Sequence, residues 1–279
     1  MTGRFRLLKI TGLIVIGLFL LIGLIYVFLS TEQVNSLINR QLESQDLSLT
    51  PAAHKTLLPG LAWDSPVLSS PQGALVSCDK LFLRLRLLPL LAGRVKLGAS
   101  AVVRGGQLDL EYGLNGREAL VVDSSGINLA DIPFFKSVLS ARVAGEVWVK
   151  GSASRGSKGL NGELRFEVKK LEFSGVRLGA FPLPDAANLR SQGMIRITED
   201  RLRLESFTLQ GEGVYMRLSG DIPNGDSVTA PLNLILEIMP KPDFLERQKL
   251  VFLLLSKFMV SPGNFRIPVR GTLLKPVVL

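Results

Sequence analysis

Cysteine and histidine, the residues that most often carry nucleophilic or metal chemistry, each occur once in this sequence. Cys78 has no second cysteine for an intramolecular disulfide or a thiolate metal cluster. His54 has no second histidine for a metal-binding pair, and a serine or cysteine nucleophile usually needs a histidine as its base. The Asp-Ser-Ser-Gly run at 123–126 has the composition of a turn rather than of a nucleophile elbow. We therefore predict no enzymatic activity, no bound metal and no cofactor.

Carboxylates occur in pairs, but at the spacing of a strand face. Asp109 and Glu111 alternate with leucines, and so do Glu163 and Glu167 with apolar residues. Residues two apart on a strand share a face, and such charges usually solvate a sheet or form weak cross-strand ion pairs. We therefore expect these acids to lie on a solvated face and not in a catalytic pair.

Basic residues follow the same alternation. Arg84 and Arg86, like Arg201 and Arg203, are separated by leucines, and the aromatic platforms that bind single-stranded nucleic acid are missing. The chain also lacks a P-loop, so neither nucleic acid nor a nucleotide is an expected partner.

The composition points towards a membrane. The 279 residues include 33 Lys and Arg against 24 Asp and Glu, giving a net charge of +9. A hydrophobic fraction of 47% and a mean hydropathy of +0.30 exclude a disordered chain, which would have too little apolar surface to offset its entropy.

One uncharged stretch is long enough to span a bilayer. Residues 10–29 contain no charge, and a helix of that length covers the roughly 30 Å hydrocarbon core. The alternative is a cleaved signal peptide, but its apolar region is normally shorter and ends in small residues. Arg4, Arg6 and Lys9 precede the stretch, so the positive-inside rule predicts a cytoplasmic tail at 1–9 and the bulk of the chain in the periplasm of a bacterium with two membranes.

Residues 30–56 are predicted to form an amphipathic helix and a linker. Ser30 is a plausible N-cap, and apolar residues recur at helical spacing from Val34 to about Ser44. In the following segment, Trp63 has two interpretations that the sequence leaves open: it packs at a sheet edge, or it dips into the bilayer interface beside the anchor.

The remainder, 57–279, alternates with a period of two and predicts a mainly β domain. We count about ten or more short strands separated by turn residues, and their short connections require antiparallel pairing. The predicted strands are 74–87, 94–103, 106–112, 119–122, 145–150, 162–168, 176–178, 193–198, 201–209, 213–218 and 232–239. One amphipathic helix, Asp243–Phe258 with Asp243 as N-cap, is too short in its apolar core to span a membrane and is expected to lie on the sheet.

Each predicted strand has one apolar and one polar face, so something must cover the apolar one. The sequence leaves two architectures open, a closed sandwich and an open, curved sheet whose apolar groove accepts acyl chains. The candidate groove residues are Leu108, Leu110, Val147, Val149, Leu164, Phe166, Val168, Ile195, Ile197, Leu202, Leu204, Val214, Met216 and Leu218.

Several segments together resemble a known family. The N-terminal anchor, the segment 66–74, the run LFLRLRLLPLLAGRVKL at 81–97, the run GGQLDLEYGLNG at 105–116 and the tail FRIPVRGTLLKP at 265–276 are similar to the type II secretion system protein N family. That family is similar in turn to the AsmA-like periplasmic proteins, and the resemblance covers about residues 5–279.

The resemblance implies a single-pass inner-membrane protein that works with other type II secretion subunits and has no catalytic residue. It also implies an alternative, an AsmA-like, taco-shaped sheet that binds or transfers lipid. About ten strands at roughly 4.8 Å spacing would measure about 50 Å, which we expect to be too short for a lipid conduit across the periplasm without partners.

Overall fold

Antiparallel strands build most of the chain, as the alternation predicts. The computed structural model describes residues 26, 28, 30–223 and 229–278. The strands are β1 Ser48–Thr50, β2 His54–Lys55, β3 Gly60–Asp64, β4 Val67–Ser70, β5 Gly73–Ser77, β6 Lys80–Arg86, β7 Lys96–Val103, β8 Gly106–Gly113, β9 Glu118–Asn128, β10 Arg142–Gly156, β11 Gly159–Ser174, β12 Arg177–Leu178, β13 Phe181–Pro182, β14 Ala186–Thr198, β15 Arg201–Gln210, β16 Val214–Ile222, β17 Asn233–Pro240, β18 Met259–Ser261, β19 Asn264–Thr272 and β20 Lys275–Val278.

Among the residues that the structure describes, helices are few and short. They are α1 Thr31–Glu43, α2 Leu87–Leu90, α3 Phe134–Leu139, α4 Pro242–Arg247 and α5 Lys249–Leu254, with 3₁₀ turns η1 at Leu129–Asp131 and η2 at Ser256–Phe258. Helix α1 lies where the sequence predicts an amphipathic helix, although the Ser30 side chain makes no capping hydrogen bond.

One large sheet of 15 strands follows the chain almost in sequence order. Its order is β2-β3-β6-β7-β8-β9-β10-β11-β14-β15-β16-β17-β19-β18, and β20 pairs with the same edge of β19 as β18, the edge away from β17. Every pairing is antiparallel. Strands β1, β4 and β5 form a small separate sheet, and β12 pairs with β13. The linker predicted at 30–56 therefore contributes strands to both the small and the large sheet.

Two local predictions need correction in the first half of the sheet. The predicted strand at 74–87 is two strands in different sheets, because the chain leaves β5 at Ser77 and enters β6 at Lys80. The turn predicted at 123–126 lies inside β9, where Gly126 (φ 68°) forms part of a bulge instead of a hairpin.

The predicted C-terminal helix is also different. Asp243–Phe258 contains α4, α5 and η2, which are separated at Gln248 (φ −121°) and Leu255. Lys241 is the N-cap and Pro242 occupies the first turn, so Asp243 lies inside the helix. As expected, these pieces lie on the sheet, with Phe252 and Leu255 buried.

Three apolar clusters hold the fold together. The largest joins β11, β14–β17 and β19 to α4, α5 and η2, while Trp63, Leu61 and Ala53 pack against α1. The third brings together distant parts of the chain, because Leu274 in the β19–β20 turn packs with Leu47 and Leu75 of the small-sheet region.

No helix among residues 30–223 and 229–278 is long and apolar enough to cross a membrane. The predicted span 10–29 lies outside the described residues except for Tyr26 and Phe28, and so do Arg4, Arg6 and Lys9.

Candidate functional site

The register of the large sheet places all the candidate groove residues on one side. In an antiparallel ladder, residues directly opposite each other point to the same face. One row of opposed residues crosses the whole sheet: Trp63, Leu81, Ala101, Leu108, Ser124, Val149, Phe166, Gly193, Phe207, Leu218, Leu236 and Ile267. The parallel row contains Leu61, Leu83, Ala99, Leu110, Val122, Gly151, Leu164, Ile195, Leu204, Gly220, Leu234 and Val269.

Two flanking rows complete this apolar face. One contains Ile127, Val147 and Val168, and the other contains Gly162, Ile197 and Leu202. Met216 opposes Leu209, and Val214 lies two residues before it on the same face. The sequence alternation therefore predicts correctly which side chains share a surface.

Burial divides the apolar face into covered ends and a more open middle. At the C-terminal end, Val214 and Met216 are 3% and 1% exposed beneath α4 and α5. Val168, Ile197 and Leu204 are also buried. The remaining candidates are half-buried, namely Leu108, Leu110, Val147, Val149, Leu164, Phe166, Ile195, Leu202 and Leu218. The middle of the face is thus neither a dry core nor a free surface.

Aromatic rings sit above a glycine in this middle region. Gly193 of β14 lies between Phe166 of β11 and Phe207 of β15, and the two rings approach to 5.1 Å between centroids across it. A Cβ atom at position 193 would overlap the Phe166 ring. The absence of a side chain at Gly193 therefore allows rings from two non-adjacent strands to meet.

The opposite, polar face carries cross-strand ion pairs. Arg86 Nη2 lies 2.9 Å from Glu111 Oε1, and Arg203 Nη1 lies 3.2 Å from Asp221 Oδ1. Glu163, predicted to be solvated, pairs with Arg165 on its own strand. Exposed pairs of this type contribute about 0–1 kcal/mol each, so their role is mainly to keep this face wet.

A cavity of about 860 Å³ lies where β10 and β11 meet η1 and α3. Charged side chains line it, including Arg142, Glu172 and Arg104, whose Nη1 is 2.8 Å from Asp131 Oδ1. The sequence does not predict this cavity, because its lining residues come from loops and strand ends that are far apart in the chain.

The residues considered for catalysis are dispersed. His54 Nδ1 lies 3.8 Å from Asp64 Oδ2, and both side chains are exposed. Burial, and to a smaller extent the neighbouring Asp79 carboxylate, raise the pKa of the Cys78 thiol, which lowers the fraction of reactive thiolate. Within the part of the chain that the structure describes, no three His, Cys, Asp or Glu residues cluster as metal ligands would.

Trp63 is 4% exposed and packs in the cluster with Leu61, so of the two interpretations left open by the sequence the structure shows packing at the sheet edge.

No family model, curated protein or solved structure matches this chain.

Proposed function

We propose that this protein is a non-catalytic, inner-membrane-anchored component of the type II secretion apparatus, acting in the periplasm during protein export across the outer membrane. The resemblance of its sequence segments supports this proposal. The observation that carries it is the long antiparallel meander in nearly sequential order, the architecture that the resemblance implies. Such a sheet acts through its edges and loops and needs no catalytic group.

An exposed edge offers a docking element for another secretion subunit. Strand β18 terminates the large sheet, and all its residues are exposed, including Val260 at 61%. An edge strand presents unpaired backbone groups to which a partner strand can bind. An assembly role would use this edge.

Deletion of the gene in the native bacterium tests the proposal. We expect the folded substrates of the secretion apparatus to accumulate in the periplasm, and wild-type protein supplied in trans to restore export. Val260→Lys should restore it less well, because lysine on an edge strand opposes strand addition. Leu250→Lys, at a position 77% exposed on α5, is the matched control and should restore export fully. Unchanged export after deletion would exclude this function.

The half-buried middle of the apolar face favours a second candidate, binding of phospholipid acyl chains in an AsmA-like groove. A sheet that curls until Leu274 packs with Leu47 and Leu75 would form a trough with its apolar face inside. Val149, Leu164 and Phe166 would line that trough. Apolar side chains left partly open in such a trough match the shape and chemistry of an acyl chain.

Lipid analysis of the full chain purified in mild detergent tests this candidate. Val149→Asp should lower the phospholipid recovered per chain, since a carboxylate would be placed against the acyl chain. Ser152→Asp, on the polar face of the same strand, is the control, and lipid held by the anchor cancels between the two variants. Equal lipid content in both folded variants would contradict the groove. Leu164→Asp provides an independent trough variant should Val149→Asp not fold.

A further inference from the structure

The outer end of the predicted anchor is joined to one end of the sheet. Tyr26 belongs to the predicted span at 10–29, and its hydroxyl lies 2.7 Å from Thr56 O and 2.8 Å from Gly60 O. Thr56 lies in the loop between β2 and β3, and Gly60 is the first residue of β3. This loop is therefore fixed beside the chain segment that is expected to leave the membrane.

Two further turns are linked to this loop one after the other by hydrogen bonds. Leu85 N donates to Pro59 O at 3.0 Å, which connects the loop to the residues leading into α2. The turn after α2 is bonded to the β8–β9 turn, where Leu114 N donates to Val95 O at 2.9 Å and Asn115 Nδ2 donates to Gly93 O at 2.8 Å. We call these three turns, residues 56–60, 87–94 and 114–117, the rim.

The rim exposes a concentration of leucines that the fold does not use. Single exposed apolar residues are common, but several on contacting turns form a patch, and patches mark interaction surfaces. The exposed leucines of the rim are Leu57 at 101%, Leu58 at 59%, Leu88 at 81%, Leu91 at 52% and Leu114 at 48%.

The charges around this patch are basic. Glu118, beside the rim, is hydrogen-bonded to Lys96 at 2.5 Å, and this contact lowers the pKa of Glu118 and keeps it ionised and paired. Arg94 also lowers the pKa of Glu118 through its charge, but among the described residues neither Arg94 nor Arg117 forms an ion pair with a carboxylate. Leucines flanked by arginines are the combination that binds the interface of a membrane containing anionic lipids.

We propose that the rim is a membrane-contact surface: its leucines enter the headgroup region of the bilayer, and Arg94 and Arg117 bind anionic lipid phosphates. The sheet then stands on the membrane with the ends of β3, β6, β7 and β8 against it. This inference rests on the membrane anchor of the proposed function, but not on a role in secretion.

The test uses the full chain reconstituted in vesicles of phosphatidylethanolamine and phosphatidylglycerol. Cys78→Ser removes the native thiol, and an environment-sensitive fluorophore is attached to Leu88→Cys. A label at Leu250→Cys is the control, because that residue is exposed to a similar degree, at 77%, but lies on α5, which follows the end of β17 opposite to the rim. A label at Leu21→Cys reports on the predicted anchor itself. Each label is quenched in turn by iodide in the buffer and by a nitroxide on the lipid.

We expect the lipid nitroxide to quench the Leu88 label severalfold more than the Leu250 label, because inserted side chains reach only the shallow part of the bilayer. Arg94→Glu combined with Arg117→Glu should reduce this quenching when phosphatidylglycerol is present. Quenching of the Leu88 label by iodide alone, with the Leu21 label still reached by the lipid quencher, would overturn the rim proposal while leaving the anchor intact. Iodide quenching at both positions would overturn both, and equal lipid quenching at Leu88 and Leu250 would also exclude a contact specific to the rim.

Discussion

Two buried serines form hydrogen bonds to backbone groups at positions where the regular pairing of the strands is interrupted. Ser191, 4% exposed, places its Oγ 3.1 Å from both the N–H and the C=O of Val168, at a register shift between β11 and β14. Ser124, also 4% exposed, accepts a hydrogen bond from Val149 N at 3.0 Å beside a shift between β9 and β10. A bulge leaves backbone groups unpaired, and these hydroxyls supply the missing partners.

Replacement of Ser191 tests this role. Ser191→Ala should lower the free energy of unfolding by about 1–3 kcal/mol, because the Val168 N–H and C=O lose a partner in a buried site. Ser152→Ala, exposed on the polar face of β10, should change it by less than about 0.5 kcal/mol. Urea unfolding of both variants measures the difference, and an equal effect would show that the serine contributes nothing specific to the bulge.

At the scale of elements, strand faces were predictable and connections were not. In β8 and β11, apolar and polar residues alternate because successive side chains point to opposite sides of the sheet. The sequence therefore predicts which residues form the apolar face across many strands. It cannot show that β5 and β6 belong to different sheets. There, Cys78 N donates to Pro66 O and Asp79 N donates to Val102 O, and these long-range bonds depend on partners that are distant in the sequence.

Long-range contacts also decide where helices end. The break between α4 and α5 lies at Gln248, whose side-chain amide pairs with the backbone of Asp185: Oε1 accepts from its N–H and Nε2 donates to its C=O, both at 2.7 Å. The local apolar spacing predicts one continuous helix. Only the tertiary structure brings Asp185 to this position.

The structural role of Gly193 on the apolar face cannot be read from the alternation of the sequence. Gly193 marks the start of a strand in the sequence pattern, whereas β14 begins at Ala186 and Gly193 lies in its interior. Its role depends on Phe166 and Phe207, which face it from the two neighbouring strands. Such a role becomes apparent only when the register is known.

The whole molecule is larger in strand number than the sequence suggests. Because β18 and β20 share one edge of β19, the large sheet is 14 strands wide and measures roughly 65–70 Å along its stacking direction at about 4.8 Å per strand, against about 50 Å for ten. One flanking row of the apolar face lies directly behind the rim. On neighbouring strands it consists of Leu85, Leu97, Tyr112 and Leu120, each paired with the next. This row is therefore the part of the apolar face that lies next to the proposed membrane-contact surface.

The C-terminal hairpin of the large sheet is coupled to the small sheet through one small cluster, and this coupling can be measured. Leu274 is 8% exposed and packs with Leu47 and Leu75, so Leu274→Ala leaves a cavity between the β19–β20 turn and the small sheet. Removal of a buried leucine side chain costs about 2–5 kcal/mol, at the lower end where the surroundings can relax. Because Leu75 lies on β5, we expect faster amide hydrogen exchange in Gly73–Ser77 as well as in the β19–β20 hairpin.

Hydrogen exchange followed by mass spectrometry on the intact chain separates these regions, and Leu253→Ala, at a residue 66% exposed on α5, serves as the control with no expected change at β5. Faster exchange confined to β19 and β20 would mean that the small sheet does not depend on the C-terminal hairpin. The trough would then lack the contact that closes it, because this cluster is what joins the C-terminal hairpin to the region around β1 and β5.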